Sequence, residues 1–270
     1  MTSTTSETIT SAANPRLRAL RKLARKRERE RRGRFVAEGE DLIAAAARAG
    51  VRAVEGYRLA GCDLGGLGGV GDASGLGDVG ADGFREVSAD ALAACSTLGS
   101  GTRVIGVYEQ RWVEPRGPLC VYLHGVSDPG NVGTVLRSAE AFGAACVALG
   151  PGCADAHSPK AVRASMGAIF TVALARVDDV AELPGERIAL VPGASDVLRR
   201  REVSDERACT VLVGAEREGL PDVVVSACER SVRIPIASQS LNAAMAATVA
   251  LYELTRDEAP ASSSSRVRAS

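Results

Sequence analysis

The sequence predicts an α/β protein, with a mainly parallel sheet in the C-terminal half behind a smaller α/β domain. Three observations carry this. After residue 118, short apolar runs alternate with helix-like segments. A stretch with two prolines and a glycine, 111–118, separates that regular half from what precedes it. The length, 270 residues, favours two cores over one.

Each element follows from its pattern. Residues 119–126, 145–149, 187–191, 210–213 and 231–236 read as strands, and 132–142, 160–166 and 241–254 as helices. They build a domain over 119–257. Such alternation implies a sheet covered on both faces, with ligands held beyond the carboxyl ends of its strands. In the first half, 35–43 reads as a strand running into a helix, 51–57 and 104–108 as strands, and 88–98 as a helix. These close a small domain over 15–110. Residues 1–14 and 258–270, rich in Ser and Thr or in Ser, read as disordered tails. The glycine-dense segment 61–83 is costly to order and reads as a flexible insertion or long loop. No GKS or GKT follows it, so it is not a phosphate-binding loop.

Composition narrows the function classes. Hydrophobic residues form 46% of the chain, and 33 basic residues balance 33 acidic ones. A neutral chain has no global attraction for nucleic acid, so any such binding must come from local charge. Aromatic residues are 3% of the total, too few for a broad base-stacking surface. Seven cysteines lack a CxxC pair and are joined by only two histidines, which argues against a disulfide framework and a zinc site. No metal is expected. The thiols read as small buried groups of a reducing compartment. No apolar stretch near the N-terminus has signal or membrane-spanning length, so a cytoplasmic protein without a membrane partner is expected.

The charge is patterned. From Arg16 to Arg34 there are eleven Arg or Lys against Glu28 and Glu30. Leu17, Leu20 and Leu23 recur at three-residue spacing, so part of this run reads as a basic amphipathic helix. An ordinary solvated face is one reading. An anion-binding surface is favoured, because no acid interleaves before Glu28.

Three strand-end loops hold the candidate chemistry. In Asp128-Pro-Gly-Asn131-Val-Gly-Thr-Val-Leu-Arg137, Asn131 can cap the helix, Gly133 permits close approach, and Arg137 offers a five-donor fork to a phosphate or carboxylate. Gly214-Ala-Glu216-Arg-Glu-Gly219 places two glycines around charges at a strand end, which alone reads as a plain turn. Arg233-Ile234-Pro235 to Ser240-Leu241-Asn242 leads into the last helix. Either Ser240 or Asn242 can cap that helix, leaving the other for a ligand.

Taken together, these loops resemble the three motifs of the SpoU family, also called the TrmH family, of RNA ribose methyltransferases. Order and approximate spacing agree over 118–256, and Ser158-Pro-Lys160-Ala-Val-Arg-Ala-Ser165-Met-Gly167 is similar to the family segment between motifs one and two. Residues 14–110 resemble, less specifically, the ribosomal-protein-L30e-like substrate-binding domain of many members. The resemblance implies a trefoil-knotted catalytic domain, which periodicity cannot show. It also implies S-adenosyl-L-methionine as cofactor, a homodimer, and transfer to a ribose 2'-hydroxyl of structured RNA, with 23S ribosomal RNA favoured. Carried onto this chain, Arg137 is the main catalytic residue, with Asn131, Glu216, Ser240 and Asn242 shaping the site. Gly214, Ile234 and Leu241 contact the cofactor. RNA contacts fall to Arg16, Arg18, Arg21, Lys22, Arg25, Lys26 and Arg29. One departure stands out: Ser240 lies five residues beyond Pro235, where members commonly have a longer, glycine-containing segment.

Methyl transfer of this kind rests on positioning and on stabilising a developing oxyanion. Arginine suits the second task better than proton removal, since its intrinsic pKa exceeds about 12. His124 reads as a packed strand residue and His157 as a loop residue, so neither is the expected base. Cys120 and Cys146 have no identifiable histidine partner, which disfavours a cysteine-nucleophile mechanism. The competing readings are a tRNA 2'-O-methyltransferase and a non-catalytic RNA-binding or ribosome-assembly protein that keeps the fold.

Overall fold

The computed structural model describes residues 8–62, 84–97, 101–199, 208–238 and 240–256. The expectation for the glycine-rich segment falls outside them from residue 63 to 83, and so does that for the whole C-terminal tail, 258–270. Among the described residues no helix is long and apolar enough to cross a membrane.

The basic run folds as two helices rather than one. Asn14 caps α1 (Pro15–Lys22), accepting from the Arg16 amide at 2.9 Å. A turn at 23–25 leads to α2 (Lys26–Arg32), which ends on left-handed Gly33. Leu17, Leu20 and Leu23 are buried against Tyr57, Val87 and Ile105, as their spacing predicts. Residues 8–14 correct the expected tail: the Ile9 amide donates to Glu86, and the Ile9 carbonyl accepts from Ser88, both at 2.9 Å.

Four strands follow the helices: β1 (Arg34–Glu38), β2 (Glu55–Leu59), β3 (Phe84–Val87) and β4 (Val104–Glu109). Their order is β1-β4-β2-β3, antiparallel except for the β2–β3 pair. Helices α3 (Glu40–Arg48) and α4 (Ala89–Ala93) pack on this sheet. Here β2 starts four residues later than its apolar pattern suggested.

The second sheet contains β5 (Leu119–Leu123), β6 (Cys146–Leu149), β7 (Ala173–Arg176), β8 (Glu186–Leu190), β9 (Asp196–Val197), β10 (Cys209–Val213) and β11 (Arg230–Arg233). They run in the order β7-β6-β5-β10-β8-β11-β9, and every registered pair is parallel. Burial on both faces explains the continuous apolar runs. Along β5, Val121 and Leu123 enter one core, while Cys120 and Tyr122 enter the other. Helices α5 (Pro129–Ala141), α6 (Pro159–Ala164) and α8 (Ala243–Thr255) supply the first layer. The short α7 (Asp222–Ser226) and a 3-10 turn at 180–182 supply the second. Strands β7 and β9 and helix α7 were not legible in sequence. Ala-Leu-Ala-Arg carries little strand signal, β9 is two residues long, and α7 is a single turn.

The stretch 111–118, read as a linker between the halves, packs on the second half through Trp112 and Val113. Trp112 packs on the main core, with its ring 5.1 Å from that of His157 and the Arg176 guanidinium 4.1 Å above it. The Val113 amide donates to Leu174 at 2.9 Å. Phe170, from the second half, meets Phe35 and Tyr108 of the first at 6.0 and 4.8 Å. His157 lies in a loop, as expected, but is buried in this seam, and desolvation holds its pKa below the ordinary value.

Helix α5 lies against α6 because Gly133 has no side chain. A Cβ there would intrude on the Ala161 carbonyl and come within 2.7 Å of Ala164 Cβ. Gly133→Ala should therefore destabilise the fold by about 1–3 kcal/mol through overpacking. Denaturant unfolding with an unchanged midpoint would show that the two helices can separate without strain.

Candidate active site

Because the strands are parallel, the loops after β5, β8, β10 and β11 emerge at one edge. Those after β8, β10 and β11, with the start of α8, line a cavity of about 560 Å³. This is within the range of pockets that enclose a small organic ligand. All three predicted cofactor residues, Gly214, Ile234 and Leu241, line it, as do Glu216 and Ser240. Sequence reasoning missed Leu190, Val191 and Pro192, at and just beyond the end of β8. Pro192-Gly193 following a strand-like run was the available signal.

The wall contributed by the second loop depends on close backbone contact. The Gly219 amide donates to Ala215 at 2.9 Å, and Gly219 has φ +68°. A Cβ on Gly214 would overlap the Gly219 carbonyl and the Leu220 amide. Glycine at both positions thus lets the chain fold back on itself at the rim.

Asn131 joins the three loops. Its Nδ2 donates to Glu216 Oε1, while its Oδ1 accepts from Asn242 Nδ2 at 3.1 Å. Chemistry fixes both amide orientations. An ionised carboxylate only accepts, so the Asn131 amide nitrogen must face Glu216. Asn242 Oδ1 is already committed to the Ala244 and Met245 amides, at 2.9 and 3.3 Å, leaving its nitrogen for Asn131. Asn242 is accordingly the cap of α8. Ser240 is exposed in the preceding loop, its carbonyl accepting from Ser238 at 3.3 Å.

One expectation is corrected here. Asp128, not Asn131, caps α5: its Oδ1 accepts from the Gly130 and Asn131 amides at 2.6 and 3.2 Å. Pro129 at the first helical position was the sequence signal. Asp128 Oδ2 meets Lys160 Nζ at 2.7 Å, and that contact lowers the carboxyl pKa. Asn131 therefore sits inside the first turn, where its side chain is free for the other two loops.

Arg137 is exposed on α5 and does not line the cavity. Six residues from Asn131, it is displaced by about 9 Å along the helix axis. It has no hydrogen-bond or ion-pair partner among the described residues, so its donors face solvent. His124 is half-buried, with Nδ1 3.0 Å from the Tyr122 hydroxyl, and burial lowers its pKa. Cys120 and Cys146 face each other in register across β5 and β6, fully buried and remote from any such edge.

The predicted cations divide. Arg16, Arg18, Arg21, Lys22, Arg25 and Lys26 are exposed. Arg29 is not a surface contact. It is 3% exposed and paired with Asp155 at 2.7 Å, and its Nη1 donates to two backbone carbonyls. Among the described residues no cluster of His, Cys, Asp or Glu could hold a metal ion.

A parallel sheet with a cavity of this size at its carboxyl edge, and three loops tied beside it by side-chain amides, is the arrangement in which α/β proteins hold small ligands. The comparisons are specific. Residues 118–252 match the model of the SpoU rRNA methylase family, and 14–61 match an MRM3-like substrate binding domain. An uncharacterized tRNA/rRNA methyltransferase of Synechocystis sp. is 30% identical over 94% of this chain and 95% of its own. The 23S rRNA (guanosine(2553)-2'-O)-methyltransferase RlmP of Bacillus subtilis is 28% identical over 91% of this chain and 98% of its own. An AdoMet-bound rRNA methyltransferase structure from Sinorhizobium meliloti superposes with TM-score 0.78 at 28% identity, covering 93% and 98% of the two chains. The chain belongs to the SpoU rRNA methylase family.

Asn131→Ala removes both bonds of the junction at once. Water can replace them at this open rim, so global stability should fall by no more than about 1 kcal/mol. Amide hydrogen exchange should quicken together in 214–220 and 240–246. Acceleration in neither segment would mean that the loops are held independently.

Proposed function

We propose that the protein transfers a methyl group from S-adenosylmethionine to a ribose 2'-hydroxyl of RNA, with 23S ribosomal RNA as the favoured substrate and the cytoplasm as its location. The Glu216–Asn131–Asn242 chain carries this reading, because it joins one residue from each motif through Glu216, which lines the cavity. Support for the substrate comes from RlmP, named for a 2'-O position of 23S rRNA. Support for the cofactor comes from the AdoMet-bound Sinorhizobium enzyme.

The cavity fits that cofactor. Leu190, Val191, Ile234 and Leu241 offer apolar walls to an adenine face, and small Gly214, Ala215 and Gly219 bring main chain up to the ligand. When bound, S-adenosylmethionine supplies a methyl carbon on positively charged sulfur. The chain's own work is alignment. Asn131 and Asn242 hold the third loop beside the first, Glu216 anchors the second, and Ser240 lines the cavity from the third. Arg137, with its donors free, binds the phosphate adjoining the target ribose and favours the anionic form of the attacking oxygen. In the first half, residues 15–110 hold RNA through exposed cations of α1, α2 and the turn between them, among them Arg16, Arg18, Arg21, Lys22, Arg25 and Lys26.

Arg137→Ala should cut transfer at least about 100-fold, roughly 2.7 kcal/mol, with cofactor affinity little changed. Single-turnover transfer and calorimetric titration separate the two, and near-normal transfer would remove Arg137 from the mechanism. Mapping 2'-O-methyl positions in cellular RNA with and without the gene tests the substrate. A lost mark confined to tRNA would replace ribosomal RNA in this reading.

The protein acts as a homodimer in this proposal. Met245, Val249 and Tyr252, spaced four and three residues apart on α8, are 62%, 40% and 53% exposed and form an apolar stripe. Val249→Glu should yield monomers in sedimentation, whereas a wild-type monomer would contradict the proposal.

The surface cations should act through counterion release. Leu17 and Leu20 are core residues, so the test replaces charges and keeps the helices. With Arg16, Arg18, Arg21, Lys22, Arg25 and Lys26 changed to Gln, loss of about four phosphate contacts would flatten the log-affinity salt slope by about three to four on duplex-like RNA. An unchanged slope would place the phosphate contacts elsewhere.

A further inference from the structure

We propose that Arg29 is a positioning residue: its clamp on Asp155 fixes the basic helices at the edge of the sheet that carries the reaction centre, and so sets which ribose reaches the site. This inference rests on the RNA methyl-transfer reading above.

A single guanidinium makes the connection. Nε and Nη2 both donate to Asp155 Oδ2, at 2.9 and 2.7 Å. Nη1 donates to the carbonyls of Leu23 and Ala24, at 2.9 and 2.8 Å. Those two residues form the turn between α1 and α2, so the group ties the corner of the basic pair to the second half of the chain. Lysine cannot reproduce this, since a point-like ammonium has no planar fork. Asp155 is itself held, its Oδ1 accepting from the His157 amide at 2.8 Å.

The place where the clamp lands makes it more than a brace. Asp155 lies in the loop after β6, beside the loop after β5. Gly125 donates to the Pro151 carbonyl and Ala154 to the Val126 carbonyl, both at 2.9 Å. Two residues beyond Val126 stands Asp128, the cap of the helix that carries Asn131 and Arg137. The basic corner is thus linked to the reaction centre through one pair of hydrogen-bonded loops. A second attachment lies alongside: Arg176, stacked on Trp112, reaches Glu30 of α2 at 3.7 Å.

Two physical points favour positioning over stabilisation. A buried ion pair is weak evidence for stability, because desolvation offsets much of its attraction. Attraction of RNA alone needs no rigid mount, whereas alignment does, since a misplacement of about 1 Å can cost roughly 100-fold in rate.

The test uses the full chain and a 23S rRNA transcript, comparing Arg29→Gln, Arg29→Lys and Asp155→Asn with wild type. Transfer at saturating RNA should fall at least about tenfold in the Gln and Asn variants, with Lys intermediate. Cofactor affinity and the salt slope of RNA binding should stay at wild-type values, because the exposed cations remain. The double variant Arg29→Gln/Asp155→Asn should be no worse than either single change, as all three break one contact. Should the Gln variant fail to fold, the Lys variant decides, because it keeps the buried charge paired. Saturated transfer at wild-type level, or a loss that merely follows cofactor affinity, would overturn the proposal. Chemical footprinting of bound RNA supplies a readout without turnover. Wild type should protect a patch at fixed spacing from the catalytic-domain footprint, and Arg29→Gln should blur that patch alone. Identical footprints would also overturn the clamp. Absence of transfer by wild type would refute the functional reading, with the footprint still judging the clamp.

Discussion

The site depends on one carboxamide. Asn131 has a single acceptor and a single amino group, and each is used on a different loop. A neutral amide suits this place better than an ionised acid, which would repel Glu216 and could not donate to it. The junction forms only because a parallel sheet delivers every loop to the same edge. An antiparallel neighbour would send its loop to the far side of the molecule.

Capping and site-building are one act at both helix starts. Asp128 takes the first amides of α5, which relieves Asn131 of that duty. Asn242 caps α8 with its oxygen and joins Asn131 with its nitrogen. Helix α8 is further fixed to α5 by the Ser138–Thr248 hydroxyl bond at 2.6 Å. The helices that cover the sheet thereby hold the rim of the cavity in register with the core. Glycines do the complementary work: Gly133 lets α6 approach α5, and Gly214 lets the second loop close on itself.

The seam between the two halves follows the same economy of polar groups. Its apolar filling is aromatic, from Phe35, Tyr108, Trp112 and Phe170. Nine aromatic residues serve the whole chain, and four of them gather here rather than on an exposed stacking surface. Arg29 and Asp155 close this seam with four hydrogen bonds to the guanidinium, the kind of pairing that burial of a charge requires. Desolvation of His157 keeps its imidazole neutral among those rings.

The sequence by itself determined the α/β class, the parallel character of the second sheet and the three loops proposed to carry chemistry. Those properties follow from local periodicity and from helix-start residues, which are written in consecutive positions. Strand ends in a parallel sheet pointed to those loops, and the family resemblance implied Gly214, Glu216, Ile234, Ser240 and Leu241 within them, all of which line the cavity. Only the tertiary structure decided how side chains at these positions are shared. Asp128 displaced Asn131 as the cap because two candidates compete for the same amides, and distance settles the competition. Leu190 to Pro192 joined the cavity through the placement of β8 between β10 and β11, which no local pattern encodes. Arg29 left the surface for the same reason. In sequence it is one cation among eleven, and its partner lies 126 residues away. A charge's neighbours along the chain set its attraction for phosphate, but its neighbours in space decide whether it can reach one.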